Sequence, residues 1–198
     1  MKKPFIGVWN LANSVTFLGV AAALVGICFA QNPKIAMMML IVSGVCDMFD
    51  GRVARMFPST DFEKAFGIQL DSFADTVSFV IFPAVFLIAQ VRSVWTVLVA
   101  IAYVLAGVTR LCWFDITTDG NTKYFTGVPV TCIAMLLPLI YSVAALFGAA
   151  VSPVVIAVAL VVMALLFIAN IQVKKPTGKA YIVFSVVAIA MVAVLLIK

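Results

Sequence analysis

The stretch Cys46–Phe79, CDMFDGRVARMFPSTDFEKAFGIQLDSFADTVSF, carries six carboxylates between two long apolar runs. Pro58, Ser59 and Thr60 stand in its middle, followed by Asp61 and Glu63. That order is a chain break and then a helix N-cap with acidic residues in the first turn, where they complement the helix dipole. The stretch therefore reads as the end of one helix, a turn, and the start of its antiparallel neighbour. Asp47 and Asp50 are three apart, and Asp71 and Asp75 four apart, so each pair shares one face of its helix. Two antiparallel neighbours bring all four carboxylates to the same end.

Outward from this stretch the chain is almost wholly apolar. Of 198 residues 65% are hydrophobic, and the mean hydropathy is +1.23. Runs of about 18 or more apolar residues are read as membrane spans. Seven are expected, at 9–30, 34–56, 65–89, 93–112, 128–149, 153–172 and 180–197. They leave no room for a soluble domain, so the fold class is an all-α integral membrane protein forming a single membrane domain over 1–198. No internal repeat supports an inverted-repeat transporter. Lys2 and Lys3 open a segment without a small-residue cleavage site before mature soluble sequence, so it does not read as a cleavable signal peptide. With Pro4, Phe5, Ile6 and Trp9 it reads as a short interfacial anchor.

Charge sets the orientation. With a cytoplasmic N-terminus, ten of the 13 basic residues fall on the inner side and only Lys34, Arg92 and Lys198 outside. All eight acidic residues fall inside as well, which a positive-inside bias does not require. The chemistry is therefore expected at the cytoplasmic face of a multi-pass cell-membrane protein. Lys174, Lys175 and Lys179 read as orientation signals and contacts to anionic lipids; no nucleic-acid partner is expected. Histidine is absent, which removes imidazole catalysis and imidazole metal sites. The cysteines at 28, 46, 112 and 132 are scattered singly and read as small buried hydrophobes.

Four ionised carboxylates in one place repel one another, and an intramembrane carboxylate is costly. Divalent cations resolve the repulsion, and oxygen donors without His or Cys select Mg²⁺, Mn²⁺ or Ca²⁺. Gly51, Ala54 and Gly67 remove side chains beside the acids, leaving a slot for a flat ligand. Arg52 and Arg55 stand where they can meet phosphate oxygens. Carboxylates, metal, Arg and a glycine-lined slot together suggest a diphosphate ligand.

The order D-x-x-D-G-x-x-A-R followed by G-x-x-x-D-x-x-x-D, filled here by Asp47, Asp50, Gly51, Ala54, Arg55, Gly67, Asp71 and Asp75, resembles the signature of the CDP-alcohol phosphotransferases. Eleven residues separate Arg55 from Gly67. That is longer than the family pattern by about three residues, close to one helical turn. The flanks GIQLDSFADTVSFVIFPA (67–84) and YFTGVPVT (124–131), with Arg110 and Phe114 between them, are similar to the phosphatidylserine synthases of that family. The resemblance covers about residues 5–176 and implies a six-helix core over 1–176. The span within 177–198 is then an addition.

The resemblance implies a two-metal centre of Mg²⁺ or Mn²⁺ on Asp47, Asp50, Asp71 and Asp75. It implies a CDP-lipid seated by Gly51, Ala54, Gly67 and Arg55, and Asp75 as general base on the hydroxyl of L-serine. CMP is then the product, membrane lipids the surroundings, and a homodimer the expected assembly. The acceptor's carboxylate needs a cation: Arg110 is the first candidate and Lys123 the second, with Thr126 and Gly127 shaping the pocket or forming a plain turn. Arg110 also reads as an interfacial anchor. Asp61 and Glu63 are expected to serve the helix dipole, and Asp115 and Asp119 to sit solvated in a loop, from which either could meet the acceptor's ammonium. Two alternatives stay open: another acceptor, glycerol 3-phosphate or inositol phosphate, and a cation transporter. Against the transporter, the outer halves of the spans lack the polar groups that a path through the full depth needs.

Overall fold

The computed structural model describes residues 6–117, 124–174 and 178–197. Seven helical rods account for nearly all of them. They are α1 (Leu11–Cys28), α2 (Pro33–Ala54), α3 (Asp61–Gln90), α4 (Val94–Thr117), α5 (Ile133–Leu146), α6 (Pro153–Ile168) and α7 (Gly178–Ile197). The seven expected spans map onto them one to one.

Local chemistry explains where several rods start. The Asn10, Asn32 and Ser152 side chains each accept a backbone N–H at the start of α1, α2 and α6, and Pro33 and Pro153 occupy the first helical turn, where a missing N–H costs nothing. At α3 the expected cap is complete. The Thr60 side chain accepts from the Glu63 N–H, and the Glu63 carboxylate accepts from the Thr60 N–H at 2.9 Å, a reciprocal capping box.

α1, α3 and α4 are long and apolar enough to cross a membrane. At 24 residues, α4 extends about 36 Å against a hydrocarbon core of about 30 Å. α2 is 22 residues long, but Lys34, Asp47, Asp50 and Arg52 fall within it. α5 and α6 are shorter than the sequence suggests, at 14 and 16 residues. The expected span 153–172 stops at Ile168, because Gln172–Lys174 (β2) leaves the helix to pair antiparallel with Tyr124–Thr126 (β1). The expected span 128–149 begins with a turn and a 3₁₀ segment, Val130–Cys132, and ends before Gly148, whose φ is +64°. This three-residue ribbon is the one sheet among the described residues of an otherwise all-α fold.

Packing centres on α2, which lies against α1 along its length and also touches α5 and α7; α4 packs on α6 and α3. Met37, Leu40, Phe79, Phe82, Phe86, Leu137 and Leu160 fill the interior. Small residues let the rods approach closely, as is usual between helices in a membrane. A Cβ on Gly107 of α4 would lie 2.8 Å from both Val80 methyl carbons of α3. The outer surface is apolar, with Leu105 64%, Ile189 70% and Phe147 83% exposed, a distribution that suits lipid and not water. All four cysteines are free.

α3 is not uniform. Over Thr76–Ile81 its hydrogen bonding widens to a π-helical turn. The fully buried Tyr103 of α4 donates its hydroxyl to the Phe79 carbonyl within that turn at 2.7 Å. Such turns release backbone groups and redirect side chains, and they recur at functional sites. This one begins directly after Asp75.

Candidate active site

α2 runs toward the 55–60 turn and α3 runs away from it, so the two acid pairs meet at the same end. Asp47, Asp71 and Asp75 each offer a carboxylate oxygen within 4.8 Å of the others. Asp47 and Asp75 are close enough to share a hydrogen bond. Asp50 lines the same narrow cavity, of about 10 Å³, but one of its oxygens is already engaged. Thr16 of α1 donates to Asp50 Oδ2 at 2.6 Å, and both residues are buried. The expected group of four is therefore a convergent group of three with the fourth beside it, steered by Thr16. Three hard oxygen donors on rigid helices suit a divalent cation. The chain supplies no ammonium or guanidinium ion-paired to these acids among the described residues.

Beside the carboxylates lies a groove of about 940 Å³, walled by the start of α1, the end of α2, the 55–60 turn and the first turns of α3. Gly51, Ala54, Arg55 and Gly67 all line it, as do Asp50 and Asp71. The two glycines are not there for protein packing. A Cβ on Gly51 would meet nothing nearer than Arg55 Nη1 at 3.9 Å, and one on Gly67 nothing nearer than Asn13 Oδ1 at 3.8 Å. The space they leave belongs to the groove. The long Arg55–Gly67 spacing is taken up by the 55–60 turn and the opening turns of α3, and Gly67 still faces the groove.

Arg110 is buried, 6% exposed, and not an interfacial anchor. Its guanidinium stacks over the Phe114 ring at 4.7 Å, and it is near enough to Asp75, Asp115 and Asp47 to interact electrostatically with each. A basic group thus stands beside the acids. Asp115 departs from expectation. α4 continues to Thr117, so Asp115 sits half-buried in its last turn instead of in a solvated loop. Ser72 of α3 lies 2.8 Å from each of its carboxylate oxygens.

Lys123, like Asp119, lies outside the described residues. Thr126 is exposed in β1, opposite Gln172. Gly127 has φ +76°, and a Cβ there would fall 2.5 Å from the Phe167 carbonyl; its N–H donates to the Ile171 carbonyl at 2.8 Å. Left-handed backbone and close approach both demand glycine, so Gly127 holds the chain at the end of α6.

Sequence reasoning passed over Thr16, Asn13, Ser72 and Tyr103. Asn13 and Thr16 had a legible signal: two polar residues three apart, on one face of an apolar helix. Asn13 is buried and donates to the Val8 carbonyl at 2.8 Å, fixing the chain where it enters α1 at the groove.

Residues 9–164 match the family model described as CDP-alcohol phosphatidyltransferase. The chain belongs to this family. The match contains both acid pairs, the groove and Arg110, and ends before α7. Among similar proteins, the CDP-diacylglycerol–serine O-phosphatidyltransferase of Mycobacterium tuberculosis is 33% identical over 129 residues, covering 60% of this chain and 44% of that protein. The protein of the same name from Saccharomyces cerevisiae is 36% identical over 114 residues, 52% of this chain and 40% of that one. The one from Methanocaldococcus jannaschii is 33% identical over 128 residues, 65% of this chain and 58% of that one. The chain spans about half the length of the curated relatives it matches.

Proposed function

We propose that the protein transfers a phosphatidyl group from a CDP-lipid, CDP-diacylglycerol or its ether equivalent, to the hydroxyl of L-serine, releasing CMP and giving phosphatidylserine. The observation that carries this reading is the convergence of Asp47, Asp71 and Asp75 beside a groove lined by Gly51, Ala54, Arg55 and Gly67. The names of the relatives support serine as the acceptor.

Asp47, Asp50, Asp71 and Asp75 would hold Mg²⁺ or Mn²⁺, in a two-ion centre. Bound there, divalent ions neutralise the diphosphate and make CMP a better leaving group. Gly51 and Gly67 leave room for the cytidine, and Arg55 at the groove wall binds phosphate. Asp75 is the general base. A serine hydroxyl is a weak nucleophile at neutral pH. Asp75 takes its proton, the oxygen bonds to the lipid-side phosphorus, and the phosphorus–oxygen bond to CMP breaks with its electron pair leaving on CMP. Arg110 meets the serine carboxylate. The acidic end faces the cytoplasm, the lipid tails stay in the bilayer through a lateral opening, and the protein acts as a homodimer. The core covers residues 1–176, and α7 is an addition to it.

The test is CMP release from CDP-diacylglycerol in detergent with Mn²⁺, comparing serine, glycerol 3-phosphate and inositol phosphate. Serine-dependent release is expected. Release with another acceptor only would move the protein to a different branch of the family. No release with any acceptor, from protein that still transports a cation in vesicles, would favour a transporter.

A further inference from the structure

We propose that Asp115, held by Ser72, receives the ammonium group of the acceptor while Arg110 receives its carboxylate, so that two side chains of α4 form an amino-acid clamp beside Asp75. This deepens, and rests on, the reading of serine as acceptor.

Arg110 is an unfinished contact. It is 6% exposed, its Nε has no hydrogen-bond partner, and it makes no ion pair among the described residues. A buried guanidinium with a vacant donor is costly unless an anion completes it. The ring of Phe114 beneath it fixes its plane. Asp115 is unfinished in the opposite sense. Ser72 Oγ lies 2.8 Å from both of its oxygens, but one hydroxyl proton serves one oxygen at a time, so acceptor capacity remains. Asp115 and Arg110 are near enough to interact electrostatically, yet no ion pair joins them. A ligand with both charges on one carbon fills that gap.

Position points the same way. Asp115 is within electrostatic reach of Asp71, and Arg110 of Asp75 and Asp47. No residue of α4 lines the groove, so these charges reach the reacting centre from outside the nucleotide's seat. Phosphoryl transfer needs the attacking and leaving oxygens roughly in line, and a donor in the groove with an acceptor entering at α4 supplies two directions of approach. Asp115 also selects by repulsion: a phosphorylated acceptor brings negative charge against it, whereas an ammonium is attracted.

The experiment measures serine kinetics, and separately the binding of CDP-diacylglycerol with Mn²⁺, for the wild type, Asp115→Asn and Ser72→Ala. In Asp115→Asn the serine KM is expected to rise about 10- to 100-fold, from loss of one charge-assisted contact. Its preference for serine over 3-hydroxypropionate, which lacks the amine, should collapse, while CDP-lipid binding stays within about twofold of wild type. Ser72→Ala should move KM and preference the same way by severalfold, and it carries the test if Asp115→Asn no longer binds CDP-lipid. An unchanged serine KM and an intact preference in a variant that binds CDP-lipid would overturn the clamp alone. A wild type that releases CMP with glycerol 3-phosphate but not with serine would overturn the serine reading and the clamp with it.

Discussion

Replacing Gly67 by Ala should separate fold stability from function, because the two effects have opposite signs. Gly67 is inside α3, and a methyl group there would have its nearest neighbour, Asn13 Oδ1, at 3.8 Å, an ordinary contact. Glycine within a helix is less stable than alanine by about 0.5–1 kcal/mol, so Gly67→Ala is predicted to raise the midpoint of thermal unfolding in detergent. The same methyl group projects into the groove proposed to seat the nucleotide. Overfilling a fitted site by one carbon costs about 1–2 kcal/mol, or about 5- to 30-fold in the KM for CDP-lipid. The matched control is Gly107→Ala, whose Cβ would lie 2.8 Å from both methyl carbons of Val80 and should lower the unfolding midpoint. Thermal unfolding by intrinsic fluorescence and initial rates against CDP-diacylglycerol read both quantities. A Gly67→Ala protein with an unchanged KM would refute the assignment of the groove, and one less stable than wild type would refute the packing argument.

Other perturbations test the remaining parts. Asp75→Asn should reduce turnover by about 10²–10⁴-fold, the range for a general base, with CDP-lipid binding still measurable by titration; full activity would remove Asp75 as the base. Thr16→Val deletes the 2.6 Å hydrogen bond to Asp50 and should weaken Mn²⁺ binding by about 5- to 30-fold, through a loss of about 1–2 kcal/mol, checked by calorimetry. Arg110→Ala should raise the serine KM while the KM for CDP-lipid stays near that of the wild type; an unchanged serine KM would end its role with the acceptor. Tyr103→Phe removes the hydroxyl bound to the Phe79 carbonyl and should lower stability by about 1–2 kcal/mol, seen as a reduced unfolding midpoint.

The rods and the acid pairs were legible in the sequence because both depend on local spacing. A run of apolar residues specifies a membrane helix without help from its neighbours, and Asp71 and Asp75 share a face wherever their helix packs. The Thr60–Glu63 box was legible for the same reason. What escaped depends on contacts between distant segments. The Thr16–Asp50 bond spans 34 residues and the Ser72–Asp115 bond 43, and no window along the chain contains either pair. For Arg110 the sequence left an interfacial anchor and an acceptor contact both open, because its burial depends on how α4 packs against the rest of the fold. The early end of α6 follows from the pairing of 172–174 with 124–126, where a tertiary ladder overrides an apolar pattern. The π turn after Asp75 has no composition of its own; it is held from α4 by Tyr103.

In the proposed mechanism, acids from α2 and α3 bind divalent cations together. This is tested most directly by titrating Mn²⁺ into the purified protein with CDP-diacylglycerol present, following the free ion by electron paramagnetic resonance. The wild type should remove Mn²⁺ from solution saturably, and Asp47→Asn and Asp71→Asn, one from each helix, should each abolish that binding while the protein stays folded. Undiminished Mn²⁺ binding in either variant would contradict the account.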